Sequence, residues 1–139
     1  MSYYSDVYVG DACVPLSQAY NCIIETQKDI YRMLPADRFY ACIVSHIGDG
    51  NFHVGVGFDL GNKQSMQMLK AFNQAMLERA IAMKGTCTGE HGIGLGKKES
   101  LYQQHRSSYP VMLAVKRALD PHNMMNPGKV LDVNRDQGF

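Results

Sequence analysis

The chain has 139 residues, room for one domain with a modest core. Its formal net charge of +1 argues against nucleic acid or an anionic membrane as the main partner, and 45% apolar with 19% charged residues is ordinary for a globular domain. No apolar run reaches the length of a membrane span, and the polar opening Met1-Ser2-Tyr3-Tyr4 carries no secretory signal pattern.

That opening fits a cytoplasmic protein, one peripheral at an inner membrane, a mitochondrial one in a eukaryote, or a piece of a longer chain. Cys13, Cys22, Cys42 and Cys87 are dispersed with no Cys-x-x-Cys, the pattern of reduced, buried cysteines in an intracellular protein. Residues 1–10 show little pattern. Asp11 to Leu16 reads as a short strand ended by Pro15, and Ser17 as the N-cap of a helix. Leu16, Ala19, Tyr20, Ile23, Gln27, Ile30, Tyr31 and Leu34, with Gln27 the one polar member, give that helix its expected inner stripe, and Pro35-Ala36-Asp37 ends it. Phe39 to Val44 is an unbroken apolar run, expected to be a strand covered on both faces.

Next comes Ser45-His46-Ile47-Gly48-Asp49-Gly50-Asn51-Phe52-His53. Asp49-Gly50 predicts a two-residue type I′ hairpin turn, which would set His46 opposite His53, Val44 opposite Gly55 and Cys42 opposite Gly57. Opposed residues have Cβ atoms about 4.5–5.5 Å apart on one face. Two imidazoles would then stand together, suited to a metal ion. The return strand alternates cleanly: Phe52, Val54, Val56 and Phe58 on one face, His53, Gly55 and Gly57 on the other. Glycines on the histidine face fit either a ligand approaching closely or a bulge or helix packed on the sheet.

A helix is expected over 63–83 with Met66, Leu69, Phe72, Met76, Leu77, Ala80 and Met83 as its core stripe, stopped by Lys84-Gly85. Thr86-Cys87-Thr88 reads as a fourth short strand and Gly89 to Lys97 as a glycine-rich loop. Helices follow over 98–105 and 109–119, then the turn Asn126-Pro127-Gly128-Lys129 and a tail, 132–139, expected to be disordered. The order βαββαβ is that of a ferredoxin-like α+β sandwich, an antiparallel sheet with helices on one face, here with extra C-terminal helices and no linker dividing it.

Glu90, just past the fourth strand, is the candidate third ligand beside His46 and His53. Two imidazoles and a carboxylate suit Zn²⁺ or a similar ion and leave a position open; taken alone, Glu90 also reads as a solvated loop carboxylate. His91 points a different way from Glu90 in an extended loop, either as a general base or as a histidine with no role. The glycines at 92, 94 and 96 match neither the dinucleotide fingerprint nor a Walker loop. Lys97, Lys98, Lys116 and Arg117 read as solvated helix charges, and His105 and His122 as surface residues.

His46-x-Gly48-Asp49-Gly50-Asn51-x-His53, Gly89-Glu90-His91-Gly92-Ile93-Gly94 and Asn126-Pro127-Gly128-Lys129 together resemble the three signatures of the C-terminal domain of FAD-linked oxidases of the vanillyl-alcohol-oxidase type. D-lactate dehydrogenase, the glycolate oxidase FAD-binding subunit and D-2-hydroxyglutarate dehydrogenase belong there, and Asp11-Ala12-Cys13-Val14-Pro15 is most similar to the D-lactate and glycolate branch. The resemblance covers residues 8–131. It implies oxidation of a small D-2-hydroxy acid to the 2-oxo acid with hydride transfer to FAD. His46, His53 and Glu90 would hold a divalent metal such as zinc, His91 would be the catalytic base, and Asn126 with Glu90 would lie on the cofactor side, Asn126 near the flavin. Where the dicarboxylate branch has an asparagine two places after the second histidine, this sequence has Gly55, which favours lactate or glycolate. The resemblance further implies an FAD-binding domain of the same polypeptide upstream. Without it, this piece is expected to be inactive, not to bind FAD tightly and to self-associate through a bared apolar face. The competing reading is a stand-alone metal-binding or assembly module without redox chemistry.

Overall fold

The computed structural model describes residues 4–135. They form β1 (Asp6–Cys13), α1 (Leu16–Met33), β2 (Tyr40–His46), β3 (Asn51–Phe58), α2 (Lys63–Ala82), α3 (Lys98–Gln104) and α4 (Tyr109–Leu119). They divide into two compact units between His91 and Gly92, where the sequence showed no linker.

The first unit is α+β. Its antiparallel sheet has the order β1-β3-β2, with α1 and α2 packed on it. The expected fourth strand is reduced to one antiparallel bridge, Cys13 to Thr86. β1 begins at Asp6, earlier than the sequence reading placed it, because residues 6–10 pair with 54–58 of β3. That pairing partner lies far along the chain, so no local pattern announces it. The core lies between sheet and helices: Phe52, Val54 and Val56 from β3 meet Leu69, Phe72, Met76 and Leu77 from α2, all buried. The stripe read for α2 therefore holds at its centre. The Asn62 side chain caps the helix, accepting from Gln64 and Ser65 N–H groups at 3.0 and 3.1 Å. At its other end Gly85 N–H bonds Ala80 O and Lys84 N–H bonds Ile81 O, the paired bonds of a Schellman motif; Lys84 takes the left-handed position at φ +64°.

Three expectations for this unit are corrected. Ser17 does not cap α1: Pro15 precedes the helix and no side chain bonds its first turn. The buried positions of α1 are Ala19, Cys22, Thr26 and Asp29, while Leu16, Tyr20 and Tyr31 face solvent. The helix is turned because its inner face is partly polar: Arg79 of α2 pairs with Asp29 and donates to Thr26 Oγ1 at 3.0 Å, and Arg32 reaches Asp29 at 2.6 Å. Apolar periodicity cannot see a buried charge that finds its partner on another helix. Finally, β2 is an edge strand, not one covered twice. Ala41 and Ile43 turn inward, but Tyr40, Cys42 and Val44 are exposed.

The second unit holds α3, α4 and the segment after them. Leu101, Tyr109 and Leu113 form a small core with Ile93, Tyr102, Leu131 and Val133 against it. Lys97, expected in solvent, is buried. Lys116 pairs with Asp120 and donates to Met125 O at 2.6 Å, and Arg117 donates to Val133 O at 2.7 Å, so neither is a purely solvated charge. The Asp120 carboxyl is held below its ordinary range, by the Lys116 hydrogen bond above all and by the N–H groups of Met124 and Met125. Residues 132–135, read as part of a disordered tail, are held: Asp132 N–H donates to Tyr109 Oη at 2.8 Å, and Arg135 stacks 3.5 Å over the Tyr102 ring while pairing with Glu99 at 2.9 Å. Residues 136–139 lie outside the described residues, as do 1–3.

Candidate metal centre

The hairpin tip differs from its expected form. Residues 47–49 make a single 3₁₀ turn and Gly50 alone takes a left-handed conformation, φ +72°. The connection is therefore four residues long. His46 pairs with Asn51, Val44 with His53 and Cys42 with Gly55, a register two residues away from the one Asp49-Gly50 predicted. The tip is tied to the end of β1: Val14 N–H donates to Gly50 O at 3.0 Å and Cys13 Sγ to Asp49 O at 3.3 Å. A side chain at 50 would place its Cβ 2.0 Å from Val14 O, so only glycine closes this turn. A two-residue slip keeps each side chain on its original face. His46 and His53 are thus diagonal neighbours on the same face, with ring centroids 5.3 Å apart and planes at 82°.

Glu90 arrives from the loop after Thr86. Its Oε1 lies 3.3 Å from His53 Nε2 and 3.6 Å from His46 Nε2. His91 stands beside it, Nε2 at 4.0 Å from the same oxygen and its ring centroid 5.1 Å from that of His53. The structure thus brings together four of the five residues the sequence singled out. The fifth, Asn126, belongs to the second unit, where it takes φ +48° and its carbonyl accepts from Lys129 N–H at 3.2 Å; Val130 N–H closes the same turn onto Gly94 O at 2.8 Å.

The donor set fits a divalent cation. With bonds of about 2.0–2.1 Å, neighbouring donors of a tetrahedral site stand about 3.3–3.4 Å apart, close to the two Glu90 distances of 3.3 and 3.6 Å. His53 is only 14% exposed in its side chain while His46 is 56% exposed, so the cluster has a sheltered inner imidazole and an outer one open to solvent. The His53 Nδ1 atom is buried with no hydrogen-bond partner among the described residues.

Sequence reasoning missed what shapes the loop. Asp11, 1% exposed, lies directly across the ladder from His53. Its Oδ2 accepts from the N–H groups of Gly89, Glu90 and His91 at 2.6, 2.8 and 3.1 Å and from Thr88 Oγ1 at 3.2 Å. The available signal was a second carboxylate, after Asp6, in a strand whose other residues are Val, Tyr, Gly, Ala and Cys. Asn51, buried between His46 and Cys13 in the ladder, was also missed. It dictates Gly89, where a Cβ would come within 1.9 Å of Asn51 Oδ1.

The sheet face running from this cluster is apolar, with the Tyr4 ring packed over a buried Gly57. Val7, Val9, Tyr40 and Val44 are exposed around Gly55 and Gly57. Among the described residues, none of the helices is long and apolar enough to cross a membrane.

Comparison with known proteins bears on this geometry. The family model described as "FAD linked oxidases, C-terminal domain" matches residues 1–130. The chain is 41% identical over 129 residues to a protein named probable D-lactate dehydrogenase, mitochondrial, of Danio rerio, covering 92% of this chain and 25% of that one. It is 35% identical over 127 residues to the mitochondrial D-lactate dehydrogenase (cytochrome) of Arabidopsis thaliana, covering 91% and 22%. To glycolate oxidase subunit GlcD of Bacillus subtilis it is 36% identical over 121 residues, covering 86% and 25%. The chain thus spans about a quarter of the length of these relatives.

Proposed function

Since the chain belongs to the FAD-linked oxidase C-terminal domain family, we propose that it is the substrate- and metal-binding part of an FAD-dependent D-2-hydroxy-acid dehydrogenase of the D-lactate or glycolate type. The observation that carries this reading is the convergence of His46 Nε2 and His53 Nε2 on Glu90 Oε1, at 3.6 and 3.3 Å. These three side chains would hold a divalent metal, zinc by the chemistry of the set.

When bound, the metal supplies a Lewis acid for the hydroxy-acid oxygens, and FAD, held by an FAD-binding domain of the same polypeptide, supplies the hydride acceptor. His91 would take the substrate's hydroxyl proton, since its imidazole borders the ligand cluster and is half exposed towards an incoming molecule. Gly55 offers no polar group to a distal carboxylate, and its ladder neighbours Val9 and Cys42 add no charge. That favours a short substrate over a dicarboxylate. Asn126 would approach the flavin. The open face around Val7, Val9, Tyr40 and Val44 is the surface that would meet the FAD-binding domain, and two bare copies would associate through it. Mitochondria are the compartment named for the Danio rerio and Arabidopsis thaliana relatives, and the proposal places this protein there in a eukaryote and in the cytoplasm of a bacterium.

The test combines metal analysis with reconstitution. Purified protein is expected to carry one zinc, lost in His46→Ala and Glu90→Gln, and to oxidise D-lactate or glycolate in preference to D-2-hydroxyglutarate once joined to its FAD-binding domain. Metal content that ignores both substitutions sinks the site. Zinc binding with no flavin partner able to restore oxidation favours instead a stand-alone metal-binding module.

A further inference from the structure

We infer that Asp11 is the positioning residue of this centre: its buried carboxylate fixes the backbone of residues 89–91 and so sets where Glu90 and His91 stand. The inference rests on the proposed metal reading and extends it to a residue outside the ligand set.

Three consecutive N–H groups and one hydroxyl converge on a single oxygen, Asp11 Oδ2, at 2.6–3.2 Å. Consecutive N–H groups turned to one point form a concave anion nest. Here the anion is a side chain of the protein, contributed from 78 to 80 residues earlier in the sequence. Bonds to an ionised acceptor are about twice as strong as neutral ones, and burial strengthens them further. The loop that carries Glu90 has glycine on both sides at 89 and 92, so its own backbone does little to hold one conformation. The bonds to Asp11 supply what the glycines lack.

Asp11 also groups with His53 and His91, the three offering ligand atoms within 4.8 Å of one another. This second trio shares His53 with the first. Asp11 Oδ2 already receives four donors, and on this inference His46, His53 and Glu90 are therefore the ligands and Asp11 the group behind them. Its seat on β1, opposite His53 in the ladder, couples the sheet that carries the histidines to the loop that carries the carboxylate.

The experiment measures zinc affinity of the full chain by competition with a chromophoric chelator, the visible spectrum of the cobalt(II)-loaded protein, and amide exchange at residues 89–91 without metal. Asp11→Asn keeps the shape and removes the charge. It is expected to weaken zinc about 10- to 100-fold, the usual loss for a group supporting a metal ligand, to alter the cobalt bands and to speed exchange at 89–91. Thr88→Ala, which removes one donor to the same oxygen, should shift all three in the same direction by less, and decides the matter should Asp11→Asn not fold. Asp29→Asn, a buried carboxylate of the α1–α2 pair, should lower stability while leaving zinc affinity and the cobalt spectrum unchanged. Wild-type zinc affinity and cobalt bands in both Asp11→Asn and Thr88→Ala would overturn the inference alone. A wild-type chain that takes up no zinc overturns the metal reading, and this inference with it.

Discussion

β3 presents two unlike faces from one run of eight residues. Towards the helices, Phe52, Val54 and Val56 have no exposed surface, and Phe58 has almost none. Towards the other side, His53, Gly55 and Gly57 lie among side chains that remain in solvent, Val7, Val9, Tyr40 and Val44. The inward face holds the domain together; the outward face carries polar side chains at one end and exposed apolar side chains, with Tyr4 over Gly57, along the rest. Because successive side chains of a strand point to opposite faces, the site can be built and altered without touching the core. The consequence is a row of apolar side chains, Val7, Val9, Tyr40 and Val44, left in solvent.

The largest expected effect lies on the inward side. Phe72→Ala empties a fully buried position of α2 and should destabilise by about 3–5 kcal/mol, read from chemical denaturation. A loss under about 1 kcal/mol would mean that the helix-covered face is not the core. On the outward side, His53→Ala should cost about 100-fold or more in zinc affinity while moving the stability of the metal-free chain by less than about 1 kcal/mol. Equal losses of stability and metal would erase the division between faces.

A third outcome concerns alkaline pH. Tyr8, paired with Val56 on the inward side, has its phenol pushed up to about 12, by burial first and by the nearby Asp11 charge second. A folded-state value above the unfolded one means that the folded chain holds this proton more tightly. The associated stability is complete below about pH 10 and is lost as pH rises towards the folded value of about 12. Tyr8→Phe should flatten that limb of a stability-against-pH curve, and an unchanged curve would show that the phenol is hydrated. The smallest effect is expected for Val9→Thr on the open face, about 0.5 kcal/mol or less, with self-association measured by sedimentation reduced if that face is sticky.

Much of this was readable in the residues. The alternation of β3 gave both faces correctly, and the stripe of α2 gave the core it meets. The sequence singled out His46, His53, Glu90 and His91, and the structure places these four side chains together. What failed did so for reasons of distance. The tip took a four-residue turn because Gly50 docks against Val14, a contact no hairpin rule contains. α1 turned away from its apolar stripe because Arg79 receives Asp29. The apolar run of β2 became an edge because no described strand lies beyond it.

Sequence by itself determined which side of β3 is chemical and which is structural, since a period of two needs no partner to be read. It also determined the side-chain types of the cluster, since imidazole and carboxylate carry their chemistry with them. Only the tertiary structure decided where the carboxylate of the cluster stands. Glu90 reaches the histidines through a loop whose N–H groups close on Asp11, a bond between residues 79 apart in the chain. Local rules cannot encode such a bond, because its stability arises only after β1 and β3 have paired and water has left the carboxylate.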